Sequence, residues 1–219
     1  MIYLFPGLGA SEKLFEPFDF SPFQAKTISF LIPEKRETLQ HYCQRLSIPI
    51  NREEENIYIG VSFGGILAQE IAKEIPPRKI ILISSIKSER ERPWYFDWIR
   101  WFPIHQMIPP VIVKKILLFI SESVTRKTAE EQQRFRVMID EADDRVIQWG
   151  ITQVANWKQE LASKNLIHIH GDHDLVFRIR KIKADHVIKN GKHFMIMREI
   201  SEINELIMSL LQTESVQSH

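Results

Sequence analysis

A single cysteine, Cys43, stands among 219 residues. One thiol allows neither an internal disulfide nor a thiolate metal cluster, and such usage fits a reducing cytoplasm. Neither sign of charge dominates: 29 Lys and Arg oppose 28 Asp and Glu, leaving a formal net charge of +1 with both signs interspersed. That balance provides no electrostatic footprint for nucleic acid and no acidic tail. A long uninterrupted apolar run is missing as well. The longest candidate, Ile104 to Ile120, is broken by Pro109, Pro110, Lys114 and Lys115, so it is too short and too polar for stable membrane insertion. The chain opens directly on Ile2-Tyr3-Leu4-Phe5, without the basic segment and apolar core of a signal peptide.

What is present is a large apolar fraction, 44%, enough for one full core. Short apolar strands alternate with helical patterns: Ile2 to Phe5, Thr27 to Leu31, Ile57 to Val61, Lys79 to Ser84, Leu166 to His170 and Ala184 to Lys189. Alternation of this kind predicts an α/β fold, a mostly parallel six-stranded sheet flanked by helices. Thr38 to Leu46, Phe63 to Ile75 and Ile200 to Leu211 are the expected covering helices, the second stopped by Pro76-Pro77. The alternation breaks off after Ile86 and resumes only after Ser163. A gap of about seventy-five residues is far longer than an ordinary connection and predicts a structured helical cap. The expected organisation is therefore a core over 1–85 and 164–211, a cap over 86–163 and a frayed tail over 212–219.

The most informative stretch is Ile57-Tyr58-Ile59-Gly60-Val61-Ser62-Phe63-Gly64-Gly65. A β-branched run breaks into Gly-x-Ser-x-Gly and continues as a helical pattern, the context in which a serine is lifted clear of the backbone on a strained strand-to-helix turn. Gly60 and Gly64 leave room for the turn, and Gly65 lets the helix approach the sheet. A nucleophilic Ser62 needs a base, and the base an orienting carboxylate, both in loops after later strands. The fifth expected strand is followed by His170-Gly171-Asp172-His173-Asp174 and the sixth by Asn190-Gly191-Lys192-His193.

With these three motifs in the order Ser, Asp, His, the chain resembles the α/β-hydrolase family from Ile2 to about Leu211, the cap excepted. The resemblance selects Asp174 over Asp172, since the family's acid lies three residues beyond the His-Gly glycine; Asp172 is left as a turn residue. It also implies that Pro6-Gly7-Leu8-Gly9 contributes one oxyanion N–H, from Leu8, beside a second from Phe63. Pro6 stands where the family usually has histidine. The implied activity is a cofactor-free serine hydrolase that cleaves an ester or thioester of a small to medium apolar acyl substrate through an acyl-enzyme on Ser62. The same fold also hosts cofactor-free lyases, in which Ser62 and His193 would act as a base pair, and non-catalytic ligand binders.

Two other patterns compete for attention. His168-Ile169-His170-Gly171-Asp172-His173 reads H-x-H-x-D-H, which resembles a metallo-β-lactamase signature, and histidines two apart on a strand face the same way. That signature lies early in its family and leaves the elbow unexplained, so no metal is expected and His168 and His170 read as strand-end residues with satisfied hydrogen bonds. In the cap, Trp94, Trp98 and Trp101 are spaced i, i+4, i+7. They would form either a substrate wall over Ser62 or glue between cap and sheet. Val111 to Ile120 reads as a cap core helix, its Lys114-Lys115 pair being too small a basic patch for a membrane surface.

Overall fold

The computed structural model describes residues 1–124, 129–160 and 163–212; the expected tail beyond Gln212 lies outside them. Its centre is one parallel sheet of six strands, β1 (Ile2–Phe5), β2 (Ala25–Thr27), β3 (Ile57–Val61), β4 (Lys79–Ile83), β5 (Leu166–Gly171) and β6 (His186–Ile188). Their spatial order is β2-β1-β3-β4-β5-β6. Because side chains alternate along a strand, each central strand feeds two cores. Tyr3, Phe5, Tyr58, Ile80 and Leu82 face α1 (Leu39–Leu46) and α2 (Phe63–Ile71). Ile2, Leu4, Ile59, Ile81 and Ile83 face α7 (Ile200–Gln212) on the other side. Burial on both faces is why these strands read as continuous apolar runs.

Three expected elements change their limits by more than one residue. The second strand is Ala25–Thr27 instead of 27–31, pairing Ile2 with Ala25 and Leu4 with Thr27. Its partner β1 runs into Pro6, which has no N–H for the ladder, and the Leu31 backbone is held at both ends by the Tyr42 hydroxyl. The last strand shrinks to His186–Ile188 at the sheet edge. α2 ends at Ile71, followed by short-range turns through Ile75 before Pro76. Thr38 is the cap of α1, its hydroxyl accepting from His41 N at 3.2 Å.

Between β4 and β5 the chain builds the helical cap: α3 (Tyr95–Trp101), α4 (Pro110–Val124), α5 (Ala129–Glu141) and α6 (Asp144–Asn156). α6 is central, touching α3, α4 and α2. Two indoles tether the cap to the core through their polar ends. Trp149 Nε1 donates to the Glu37 carbonyl at 3.1 Å, and Trp157 Nε1 to Glu70 Oε1 at 2.7 Å. Among the described residues no helix is long and apolar enough to cross a membrane.

Candidate active site

Parallel strands place all their carboxyl ends on one edge, and there the turns after β1, β3, β5 and β6 meet. Ser62 sits between β3 and α2 with φ 51° and ψ −118°, a conformation that a residue bearing a Cβ rarely adopts. The fold has little choice in that geometry, because helix and strand cross too closely for side chains. A Cβ on Gly64 would lie 2.2 Å from the Phe5 carbonyl oxygen, and one on Gly60 2.5 Å from Gly65 Cα. Ser85 Oγ donates to the Ser62 carbonyl at 2.7 Å and braces the turn from β4.

The second half of the site depends on another close approach. A Cβ on Gly171 would meet the Gly191 carbonyl oxygen at 2.1 Å, so the turns after β5 and β6 can touch only because glycine stands there. His173 N donates to that same Gly191 oxygen at 2.9 Å. This contact sets Asp174 and His193 side by side: His193 Nδ1 lies 2.8 Å from Asp174 Oδ2, and His193 Nε2 lies 3.0 Å from Ser62 Oγ. Asp174 is fully buried, and its Oδ1 accepts from the amides of Val176 at 2.7 Å and Phe177 at 2.8 Å. Burial pushes its carboxyl up, yet the His193 ring, His170 and the Phe177 amide together hold it below its usual value. An ionised carboxylate only accepts, so His193 carries its proton on Nδ1 and turns the Nε2 lone pair toward Ser62.

Asp172 has no part in this contact; it bonds the exposed His173 ring at 2.7 Å. Gly7 abuts the serine, where an added Cβ would be 3.5 Å from Ser62 Cβ. Leu8 and Phe63 both line the cavity in front of Ser62, and among the described residues neither backbone N–H has a protein acceptor. The cavity measures about 150 Å³. Its other walls are apolar, from Phe96, Met138, Ile139 and Val154 of the cap and from Val176 and Phe177 of the core. Among the described lining residues there is no lysine or arginine.

The three tryptophans weighed as a substrate wall or as glue between cap and sheet form no wall. Trp94, Trp98 and Trp101 are 65%, 56% and 69% exposed and do not line the cavity. The helix turns its other side inward: Phe96 is buried, stacked on Phe177 at 6.0 Å. Neither do Val111 to Ile120 form a wholly internal helix, since Val113 is buried but Val111, Ile112 and Ile116 are exposed.

The histidine-rich motif also differs from expectation. His168 is fully buried and, among the described residues, has no hydrogen-bond partner on either ring nitrogen; the Ser85 backbone lies beside it without meeting that geometry. His170 is satisfied only on one side, its Nε2 donating to the Phe177 carbonyl at 2.7 Å and lying 3.4 Å from Asp174 Oδ2. These rings stack edge to face at 5.1 Å instead of converging with His173 on a common ligand position. Among the described residues the one cluster with ligand spacing is Glu34, Glu37 and His41, and Arg45 already neutralises Glu37 at 2.8 Å.

Two residues at the site have roles that the sequence analysis did not assign. Gly150, inside α6, lets the cap helix settle on the serine loop: a Cβ there would meet Leu8 Cδ1 at 2.5 Å and Phe63 Cε1 at 3.3 Å. An isolated glycine in a helical pattern is the signal that could have found it. His170 stands in the His-Gly turn motif, but its approach to Asp174 could not be read there, because that contact exists only once the turn after β5 has folded back.

No family model and no curated protein matches this sequence. Solved structures do. A thermophilic esterase from Thermogutta terrifontis, with malate bound, superposes with a TM-score of 0.75 at 16% identity, over 97% of this chain and 89% of the esterase. MenH from S. aureus gives 0.70 at 14% identity, over 98% and 94%. A bromoperoxidase from Bacillus anthracis gives 0.70 at 12% identity, over 96% and 91%. The chain has the α/β-hydrolase fold. Its similar structures bear the names of different activities, so the reaction has to be argued from the site.

Proposed function

We propose that this protein is a serine hydrolase for esters or thioesters with a small to medium, uncharged acyl group. One observation carries the reading: an unbroken chain of contacts from Asp174 through His193 to Ser62, ending at an apolar cavity. Ser62 Oγ attacks the acyl carbonyl while His193 Nε2 takes its proton, and the carbonyl π electrons move onto the oxygen. The N–H groups of Leu8 and Phe63 hold that oxyanion. On collapse the C–O or C–S bond breaks, and His193 returns the proton to the departing alcohol or thiol. Water then repeats the sequence on the acyl-enzyme, releasing the acid and free Ser62. Asp174 supports the imidazolium in both halves without being protonated. Only protein groups and water are needed.

Acyl size follows from the walls. A cavity of about 150 Å³ falls below the several hundred Å³ typical of drug-sized ligands, and without a lining cation it offers nothing to a carboxylate tail. A lone cysteine, Cys43, leaves the fold no internal disulfide to depend on, which suits a reducing cytoplasm.

The test is labelling with a fluorophosphonate, with the modified residue located by mass spectrometry, followed by turnover of p-nitrophenyl esters of increasing chain length. The expected result is a label on Ser62 and a rate optimum at short to medium chains. An unlabelled Ser62 would remove the nucleophile from the reading. A labelled Ser62 that turns over no ester or thioester would favour the lyase use of the same pair.

A further inference from the structure

The outer face of the cap is the least explained surface of the molecule. Nine of the fourteen large apolar side chains exposed among the described residues fall between Trp94 and Ile116. Trp94, Trp98 and Trp101 succeed one another along one side of α3, and the Trp98 ring stacks on Phe102 at 5.5 Å. Ile104 is 63% and Met107 85% exposed in the connection that follows. The first turns of α4 continue the face with Val111, Ile112 and Ile116. Both helices pack on α6, and Phe96 and Val113 are turned inward and buried. Soluble surfaces scatter such residues singly; a run of them marks a contact surface.

Charge identifies the contact. The charged residues exposed in this stretch are Arg100 and Lys115. Its one acid, Asp97, is ion-paired to the buried Arg92 at 3.1 Å, while Lys114 is half-buried against Asp144 at 3.0 Å. The face therefore presents indoles, aliphatics and cations, with no unneutralised carboxylate. A second copy meeting this face through a two-fold axis would bring Arg100 and Lys115 against themselves, with no free acid of the patch to receive them. The Lys114-Lys115 pair alone is too small a basic patch for a membrane, but the structure exposes Arg100 together with Lys115 on the face of the exposed apolar side chains. An anionic lipid surface meets every term of that face at once: indoles favour the headgroup boundary, aliphatic chains the acyl region below it, and basic groups the negative headgroups.

We infer that the outer face of the cap, Trp94 to Ile116, docks on the surface of an anionic lipid bilayer. The contact is peripheral, since neither helix can cross a membrane. It is independent of the Ser62 reading, for the docking face lies on the side of α3 opposite the cavity wall Phe96. If both hold, the lipid surface holds the cap where apolar acyl substrates concentrate.

The test uses the full chain and co-sedimentation with vesicles of phosphatidylcholine, with and without phosphatidylglycerol. Binding to the mixed vesicles should exceed binding to phosphatidylcholine alone, weaken with salt and shift tryptophan emission to the blue. The double variant Trp98→Ser, Trp101→Ser should retain its thermal unfolding midpoint and lose at least about tenfold in vesicle affinity. The pair Arg100→Gln, Lys115→Gln should keep the residual affinity for neutral vesicles and lose the preference for phosphatidylglycerol. Absence of binding, or equal binding by the tryptophan variant, overturns the inference. A dimer in light scattering that the tryptophan variant dissociates would overturn it in favour of a second copy.

Discussion

In the sheet, the residues at the site stand in turns that glycines make possible; in the cap, the residues facing the same cavity are ordinary apolar members of helices. Gly64 permits the crossing of α2 over β1, and Gly171 permits the contact between the turns of Asp174 and His193. These positions have one acceptable side chain. Phe96, Ile139 and Val154 need only be apolar and of suitable size, and many residues qualify. On the proposed reading, positioning of the reacting atoms is concentrated in the core, and the cap supplies part of the wall that would meet the acyl group. The difference teaches where substitutions should change rate and where they should change preference.

The largest effect tests the core's half of that division. Ser62→Ala should lower kcat for a p-nitrophenyl ester by a factor on the order of 10⁴ to 10⁶ without changing the circular dichroism spectrum. Retained turnover would break the comparison, because the chemistry would then reside elsewhere. Next in size is the choice between two neighbouring acids. Asp174→Asn should cost on the order of 10⁴ in kcat by destabilising the Nδ1–H tautomer of His193. Asp172→Asn, which loses only an exposed contact to His173, should stay within about tenfold of the parent. The opposite ranking would show that the carboxylate beside His193 is not the one that matters.

Much of the core could be read from the chain because its constraints are local. Parallel strands buried on both faces appear as apolar runs, and the elbow requires Gly-x-Ser-x-Gly in consecutive positions. The pairing of Gly171 with Gly191 spans twenty positions, yet each glycine lies within three positions of the residue it helps to place, Asp174 or His193. Strand limits were less legible, since Tyr42 and Pro6 act on β2 from outside its own sequence. The cap was legible only as a long helical interruption. Spacing of Trp94, Trp98 and Trp101 establishes that they share a side of α3, but not which side faces Ser62; that is decided by Phe96 finding Phe177. Nor could spacing show that His168 would be enclosed without a partner.

A smaller effect examines the two sides of α3. Phe96→Ala opens the cavity and should shift relative kcat/KM toward longer acyl chains by about 1–3 kcal/mol, the range for a methylene-sized change in an apolar pocket. Trp98→Ala, on the exposed side, should leave chain-length preference unchanged for water-soluble esters. A shift from Trp98 and none from Phe96 would mean that the wall lies on the opposite side of the helix.

The smallest effect concerns acid stability and again separates core from cap. His168 is buried beside His170, and burial, reinforced by the neighbouring His170 and Lys87, lowers its pKa well below the ordinary 6.5. Above about pH 6.5 the ring is neutral in both the folded and unfolded chain, and its stability contribution is fully present. As pH falls below that value the unfolded chain binds a proton that the folded chain refuses, so stability declines until the folded-state pKa is reached. His105, in the cap, is also lowered by burial, but it is only half-buried and bonds Thr152 Oγ1 at 2.7 Å, so its protonation should cost less. His168→Leu should therefore narrow the fall in Tm between pH 7.5 and pH 5.5, whereas His105→Gln should leave it nearly unchanged. Each 1 kcal/mol of acid-dependent loss removed corresponds to about 2–4 °C for a chain of this size. His170 remains to titrate in the same direction, so the slope should shrink without vanishing. Equal slopes for the parent and His168→Leu, with relief only in His105→Gln, would move the acid-sensitive element from the sheet to the cap.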